Sequence, residues 1–145
     1  MAEPMLAWLR ATITGDKALA ESIRVGLGEW RYDRTAYPGC PPEHALGVGD
    51  RVVVDVGFMD DDFVKPDEAR HIATHDPRDV IARCEAELAL LDKAEEAIKD
   101  AEGVGLWSQT EGEVHGRAGA YREAAEIIAG GYRHRPGYAD AVGEQ

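Results

Sequence analysis

Apolar positions repeat with a helical period in three segments of the chain. In the first segment they recur in alternating steps of three and four, and Asp16 occupies the one slot where an apolar residue is expected. The members of this stripe are Leu6, Leu9, Ile13, Ala20, Ile23 and Leu27. Such spacing is typical of a helix that turns one face toward a core. We predict a helix that is weakened at Gly15 and ends at Gly26 or Gly28.

A second helix is predicted to begin at Pro77 and to end near Gly103. The Asp76 side chain is suited to cap its first turn, and proline is favoured at the first helical position. Its apolar stripe follows a seven-residue pattern that Glu95 interrupts, formed by Ile81, Cys84, Leu88, Leu91 and Ile98. That pattern also raises the hypothesis of a homodimer through the 77–101 helix.

A third helix is predicted to begin at Thr110, which forms a capping box with Glu113, and to end at Gly130-Gly131. Its stripe consists of Val114, Ala118, Tyr121, Ala125 and Ile128. Three glycines lower its intrinsic helix propensity, namely Gly112, Gly116 and Gly119. Packing must therefore stabilise this helix more than propensity does.

Between the first two helices the period changes to two. Trp30 and Tyr32 alternate with charged residues, and the valine-rich segment 51–58 also favours a strand. Residues 63–65 are a candidate third strand, whereas the prolines and glycines of 35–49 predict a loop. The expected fold class is α+β, with three helices packed on a small two- or three-stranded antiparallel sheet. We expect a single domain over residues 1–145.

The charge balance restricts the classes of partner. The chain has 145 residues, with 28 acidic against 16 basic side chains, and a formal net charge of −12. Such a charge argues against binding nucleic-acid phosphates or anionic lipid. Only two cysteines are present, and neither a secretory leader nor a long apolar span is recognisable. We therefore expect a cytoplasmic protein that binds neither nucleic acid nor membrane.

The segment around residue 75 is the main candidate for metal chemistry. His71 and His75 would lie one helical turn apart on the same face, as adjacent ligands of zinc or another divalent ion do. Asp76 or Glu68 could complete the ligand set, with His115 or His134 brought in from elsewhere in the chain. The alternative is that Asp76 only caps the second helix while the two histidines pack or form hydrogen bonds around that junction.

Other candidate residues carry weaker signals. Cys40 has His44 four residues away as a possible base, although an inert surface thiol is the alternative. The run 60–62 of three aspartates lacks the further ligands of a calcium loop and predicts a solvated turn. Three aromatic residues are candidate anchors for a protein partner or, alternatively, edges of the core: Trp8, Trp107 and Tyr138.

Two segments resemble a family of small actinobacterial and actinophage proteins of unknown function. The first is His71-Ile72-Ala73-Thr74-His75-Asp76-Pro77, which opens the long helix. The second is a segment where tyrosine, histidine, proline and tyrosine cluster in residues 132–138. This chain departs from the family pattern in the second segment, where the family has histidine directly before proline. Here Arg135 precedes Pro136, and His134 stands one position before Arg135. The resemblance implies a bacterial or phage setting and no particular activity.

Together these observations favour a non-enzymatic protein-interaction module of phage or prophage type, without a cofactor. A more specific version is an acidic decoy that imitates DNA toward a basic host protein, which requires carboxylates concentrated on one face. The alternative is a metal-binding protein or metal-dependent enzyme that uses His71, His75 and Asp76.

Overall fold

A computed structural model describes residues 2–23, 30–33, 44–48, 51–56, 68, 71–72, 75–104 and 111–143. The chain forms two compact units, one of Met1–Lys17 with Arg83–Gln145 and one of Ala18–Ala82. In chain order the elements are α1 (Ala2–Glu21), β1 (Trp30–Asp33), β2 (His44–Val48), β3 (Arg51–Val56), α2 (Pro77–Glu102), α3 (Glu111–Gly131) and α4 (Tyr138–Val142).

The three long helices occur where the apolar periodicity predicts them. α2 begins at Pro77 and ends directly before Gly103, and α3 ends at Gly131, as expected. α1 ends at Glu21, which is earlier than the predicted stop. There the Ser22 hydroxyl donates a hydrogen bond of 2.7 Å to the carbonyl of Leu19. Serine side chains that bond nearby backbone favour helix ends over helix interiors.

The core of the described residues is built from helix stripes. Its largest fully buried side chains are Leu9, Ile13, Leu91 and Cys84. The remaining buried positions are dominated by alanine: Ala20, Ala94, Ala97, Ala101, Ala118, Ala125 and Ala129. Because alanine projects little beyond the backbone, these faces allow helices to pack closely. The buried position of Cys84 confirms that it belongs to the core.

The predicted α+β fold, with three helices packed on a sheet, is wrong. Where side-chain burial is described, the buried apolar residues lie on α1, α2 and α3, which pack helix on helix, and the three strands belong to the other compact unit, Ala18–Ala82. A fourth helix, α4, was not predicted. The helices pack on one another because the alanine-rich stripes of α2 and α3 fit together closely. Ala97 and Ala101 of α2 form one cluster with Ala118 of α3.

The prediction of a loop over residues 35–49 is wrong for His44–Val48, because β2 forms there. β1, β2 and β3 are antiparallel neighbours in that order, with Tyr32 opposite Leu46 and Leu46 opposite Val54. The register shifts between Leu46 and Gly47, and glycine in a strand is common at such irregularities. Glycine content therefore indicated a loop where a strand with a bulge forms. The candidate strand 63–65 lies outside the described residues.

Charged pairs connect α1 to α2. The guanidinium of Arg10 donates to Asp92 Oδ1 at 2.7 Å and to Glu95 Oε1 at 3.0 Å. Lys17 Nζ lies 3.1 Å from Glu85 Oε1. Exposed pairs of this kind contribute about 0–1 kcal/mol each. The Arg10 contact explains why Glu95 interrupts the apolar stripe of α2, since it faces a cation on the neighbouring helix.

Candidate functional site

The segment after α3, residues 132–143, lies against α1 and forms the most elaborate polar arrangement of the described residues. We call residues 132–143 the tail. The indole Nε1 of Trp8 donates a hydrogen bond of 3.0 Å to the carbonyl of Pro136. The rings of Trp8 and Tyr138 meet edge to face, with centroids 5.6 Å apart and an angle of 67°. One aromatic residue of α1 therefore holds two successive parts of the tail.

Gly137 fits the space beside this indole because it lacks a side chain. Its φ is +82°, in the left-handed region that favours glycine. A Cβ atom at this position would lie 3.1 Å from Trp8 Nε1 and 3.3 Å from Trp8 Cδ1. Gly137 also starts α4, since its carbonyl accepts the amide hydrogen bond of Ala141 at 3.0 Å.

Asp16 forms the second anchor of the tail on α1. Arg135 Nη2 lies 2.8 Å from Asp16 Oδ1 and 2.7 Å from Oδ2. The aspartate side chain is only 15% exposed, whereas that of the arginine is 52% exposed. Asp16 thus occupies an apolar slot of the α1 stripe because Arg135 supplies its countercharge. Charge-assisted contacts of a guanidinium with both carboxylate oxygens are among the stronger polar interactions in proteins.

Tyr132 connects the start of the tail to α2. Its hydroxyl donates a hydrogen bond of 2.6 Å to Glu87 Oε2, and Arg83 Nε lies 3.8 Å from Glu87 Oε1. Burial, and then the adjacent Glu87 carboxylate, raise the pKa of the Tyr132 hydroxyl well above its usual value. The hydroxyl therefore remains a hydrogen-bond donor across the physiological pH range.

Two of the three predicted aromatic anchors, Trp8 and Tyr138, are brought together by this arrangement. Each is half-buried, and each contacts the other. Trp107 lies outside the described residues. Binding of a protein partner by these residues stays a prediction. The contacts of Asp16 with Arg135 and of Tyr132 with Glu87 were not predicted from the sequence. The position of Asp16 inside an apolar stripe was a signal that a cation would pair with its carboxylate.

The candidate metal ligands lie in the turn that precedes α2. The rings of His71 and His75 have centroids 4.4 Å apart, and His75 Nδ1 is 2.8 Å from the His71 carbonyl oxygen. The predicted proximity of the two imidazoles is therefore present. Both side chains are exposed.

Asp76 is the N-cap of α2. Its Oδ1 accepts hydrogen bonds from the amides of Arg78 at 2.7 Å and Asp79 at 3.0 Å, and its Oδ2 accepts one from Arg78 Nη2 at 3.3 Å. The residue is almost fully buried. These contacts satisfy orphan amide groups of the first helical turn, so the structure places Asp76 in the capping role that was the alternative to metal binding.

Asp76→Ala is expected to lower the free energy of unfolding by about 0.5–2 kcal/mol at neutral pH. Burial alone would raise the pKa of this carboxyl, but the three hydrogen bonds from Asp79 and Arg78 outweigh it and lower the pKa. A carboxyl with a lowered folded-state pKa stabilises the protein above its unfolded pKa, and this contribution disappears as the pH falls through the folded pKa.

The difference between wild type and Asp76→Ala should therefore shrink in urea-unfolding experiments as the pH is lowered below about 4. Asp76→Asn is the matched control, since asparagine caps nearly as well without the charge. A difference between wild type and Asp76→Ala that does not change from pH 7 to pH 3 would contradict this account.

Within the described residues, no group of three or more histidine, cysteine, aspartate or glutamate side chains is arranged to hold a metal ion. His115 is exposed on α3, and His134 Nε2 accepts a hydrogen bond of 3.3 Å from Arg133 Nε. Cys40 and the aspartates of 60–62 lie outside the described residues. Burial raises the pKa of the Cys84 thiol, which makes it a weak nucleophile.

None of the described helices is long and apolar enough to cross a membrane. No curated protein and no solved structure matches the chain. A family model described as a family of unknown function (DUF6221) matches residues 2–141. Because this match covers almost the whole sequence, the chain belongs to that family, in agreement with the predicted resemblance to small proteins of unknown function.

Proposed function

We propose that this protein is a non-enzymatic protein-interaction module of phage or prophage type, and that α3 carries its binding surface. One observation carries the proposal: Ile127 is 71% exposed on the side of α3 that faces away from the core. The core side of the same helix is defined by Ala118, Ala125 and Ala129. The phage or prophage setting is supported by the sequence resemblance.

Small residues extend this outer face along the helix. Gly112, Gly116 and Ala120 follow one another at intervals of four, and Gly119 precedes Ile127 by eight residues. An added Cβ at any of these three glycines would have no neighbouring atom within 4 Å. Gly116 and Gly119, which lie in the helix interior, each cost about 1 kcal/mol relative to alanine. Packing within the described chain does not require them, whereas close approach of a partner's backbone would.

The proposed occupant is a basic segment of a partner protein that inserts an apolar side chain beside Ile127. Glu113 and Glu123 are exposed on the same side of α3. They add to the formal net charge of −12, which would accelerate association with a cation-rich partner. DNA mimicry receives less support, because several exposed carboxylates are paired with cations, among them Asp92, Glu95 and Asp100.

The other predicted functions receive less support. The hydrogen bonds that Asp76 accepts in capping α2 occupy the carboxylate that a metal would need. A homodimer through the 77–101 helix would have to expose Cys84 and Leu91, which are buried within the chain. Both therefore stay predictions outside the proposed function, as does the cytoplasmic location.

A photo-cross-linking amino acid at position 127 tests the proposal in an actinobacterial host. We expect a discrete adduct with one basic protein from position 127 and none from position 122, where Arg122 is exposed at the flank of the core stripe of α3, away from Ile127. With that protein purified, Ile127→Asp should weaken binding at least about tenfold, an effect typical of a central interface anchor. Leu19→Asp is the matched control, since Leu19 is 68% exposed on α1. Equal adducts from both positions, or equal affinity of Ile127→Asp and wild type, would refute the proposal.

Gly116→Ala and Gly119→Ala should each raise the free energy of unfolding, by about 0.5–1 kcal/mol. The reason is that alanine has less conformational freedom in the unfolded chain, and its Cβ meets no neighbour within 4 Å at either position. Thermal unfolding followed by circular dichroism measures the gain. The same substitutions should weaken binding of the cross-linked partner, which a purely structural account of these glycines does not predict.

A further inference from the structure

The tail contacts α1 near the surface of the protein. α4 contains no buried residue, and the Arg135 side chain is about half exposed. Segments with few buried apolar contacts separate from the rest of a protein at low free energy. Movement of the tail away from α1 would therefore expose no buried side chain of α4.

The α1 surface beneath the tail recognises several chemical features at once. The Asp16 carboxylate binds a guanidinium, and the Trp8 indole donates to a backbone carbonyl. The close approach of Gly137 to the indole and its positive φ favour glycine there, because a larger residue would be strained in that conformation and would crowd the indole. The same indole packs edge to face with an aromatic ring. These four requirements together describe an arginine, one residue that supplies a backbone carbonyl, a glycine and an aromatic residue, in that order.

We propose that Trp8 and Asp16 form a peptide-binding site on α1, and that the tail occupies this site as an internal competitor. The ligand is a segment of a partner protein with the order arginine, any residue, glycine, aromatic residue, of which Arg135-Pro136-Gly137-Tyr138 is the internal copy. This site is separate from the α3 face around Ile127, so the two proposals stand or fall independently. A tethered competitor acts at an effective concentration in the millimolar range, so only a segment that binds better than the tail displaces it.

Fluorescence polarisation with a labelled peptide of residues 132–143 tests the site on the full-length chain. Arg135→Glu breaks the internal contact with Asp16 and leaves the proposed site intact. Its affinity for the peptide should exceed that of wild type at least about tenfold, because the competing tail is weakened. Because Arg135 is half exposed, its replacement should leave the core unchanged, which circular dichroism verifies.

Charge exchange supplies the matched control. Asp16→Lys should not bind the native peptide, but it should bind a peptide in which glutamate replaces the arginine. Arg135→Glu, which retains Asp16, should bind the native peptide and should not bind the peptide with glutamate. If Asp16→Lys loses its helical circular dichroism, Asp16→Asn replaces it and should bind the native peptide at least about tenfold more weakly than Arg135→Glu does. Equal peptide affinity of Arg135→Glu and wild type, or indifference to the charge at residue 16, would overturn the proposal.

Discussion

Leu9→Ala is expected to lower the free energy of unfolding by about 2–5 kcal/mol. Leu9 has no exposed surface, and it lies in the core with Ile13 on α1 and Leu91 on α2. Truncation removes apolar contacts and leaves a cavity that the surrounding helices fill only in part. Chemical unfolding followed by circular dichroism at neutral pH measures this loss.

Leu19→Ala is the matched control for this prediction. The substitution is chemically identical and lies on the same helix, but the Leu19 side chain is 68% exposed. Its removal should change the free energy of unfolding by less than about 0.5 kcal/mol. Similar losses for the two variants would mean that Leu9 does not face the core that the structure describes.

Ala118→Leu is expected to destabilise the protein by about 1–3 kcal/mol. Ala118 is buried on α3 in the cluster with Ala97 and Ala101 of α2, and Tyr121 packs against the same cluster. The three additional carbon atoms cannot be accommodated there unless the helices move apart. The decrease in thermal midpoint relative to wild type measures the effect.

The control for this overpacking is Ala120→Leu, two residues further along α3, where the side chain is exposed. Leucine and alanine are both good helix formers, so this variant should retain nearly wild-type stability. If Ala118→Leu proved as stable as Ala120→Leu, the close contact of α2 with α3 would be contradicted.

Local patterns were sufficient to locate the long helices. Pro77 and Gly103 lie at the two ends of α2, and the apolar stripe of α3 includes Ala118 and Ala125, which the structure buries. Start and stop signals and helical periodicity are properties of neighbouring residues, so they can be detected without knowledge of the fold. The N-cap role of Asp76 was detectable for the same reason.

The architecture could not be obtained in this way. Valine-rich and alternating segments indicated strands, but no local pattern shows whether a helix stripe packs on a sheet or on another helix. The strand His44–Val48 was also missed, because its glycine resembles a loop signal and its partners are distant residues such as Tyr32 and Val54. β-pairing depends on which strands meet, which makes it more dependent on context than helix formation.

The sequence by itself determined the helical segments, the cap at Asp76, the acidic charge and the resemblance to a family of unknown function. Only the tertiary structure decided that the core is helix on helix, and that Arg135, 119 residues after Asp16, neutralises that largely covered carboxylate. The physical reason is that an ion pair or an aromatic contact between distant residues produces no repeating pattern in the sequence. The odd residue in a pattern, such as Asp16 in an apolar stripe, only indicates that a partner exists.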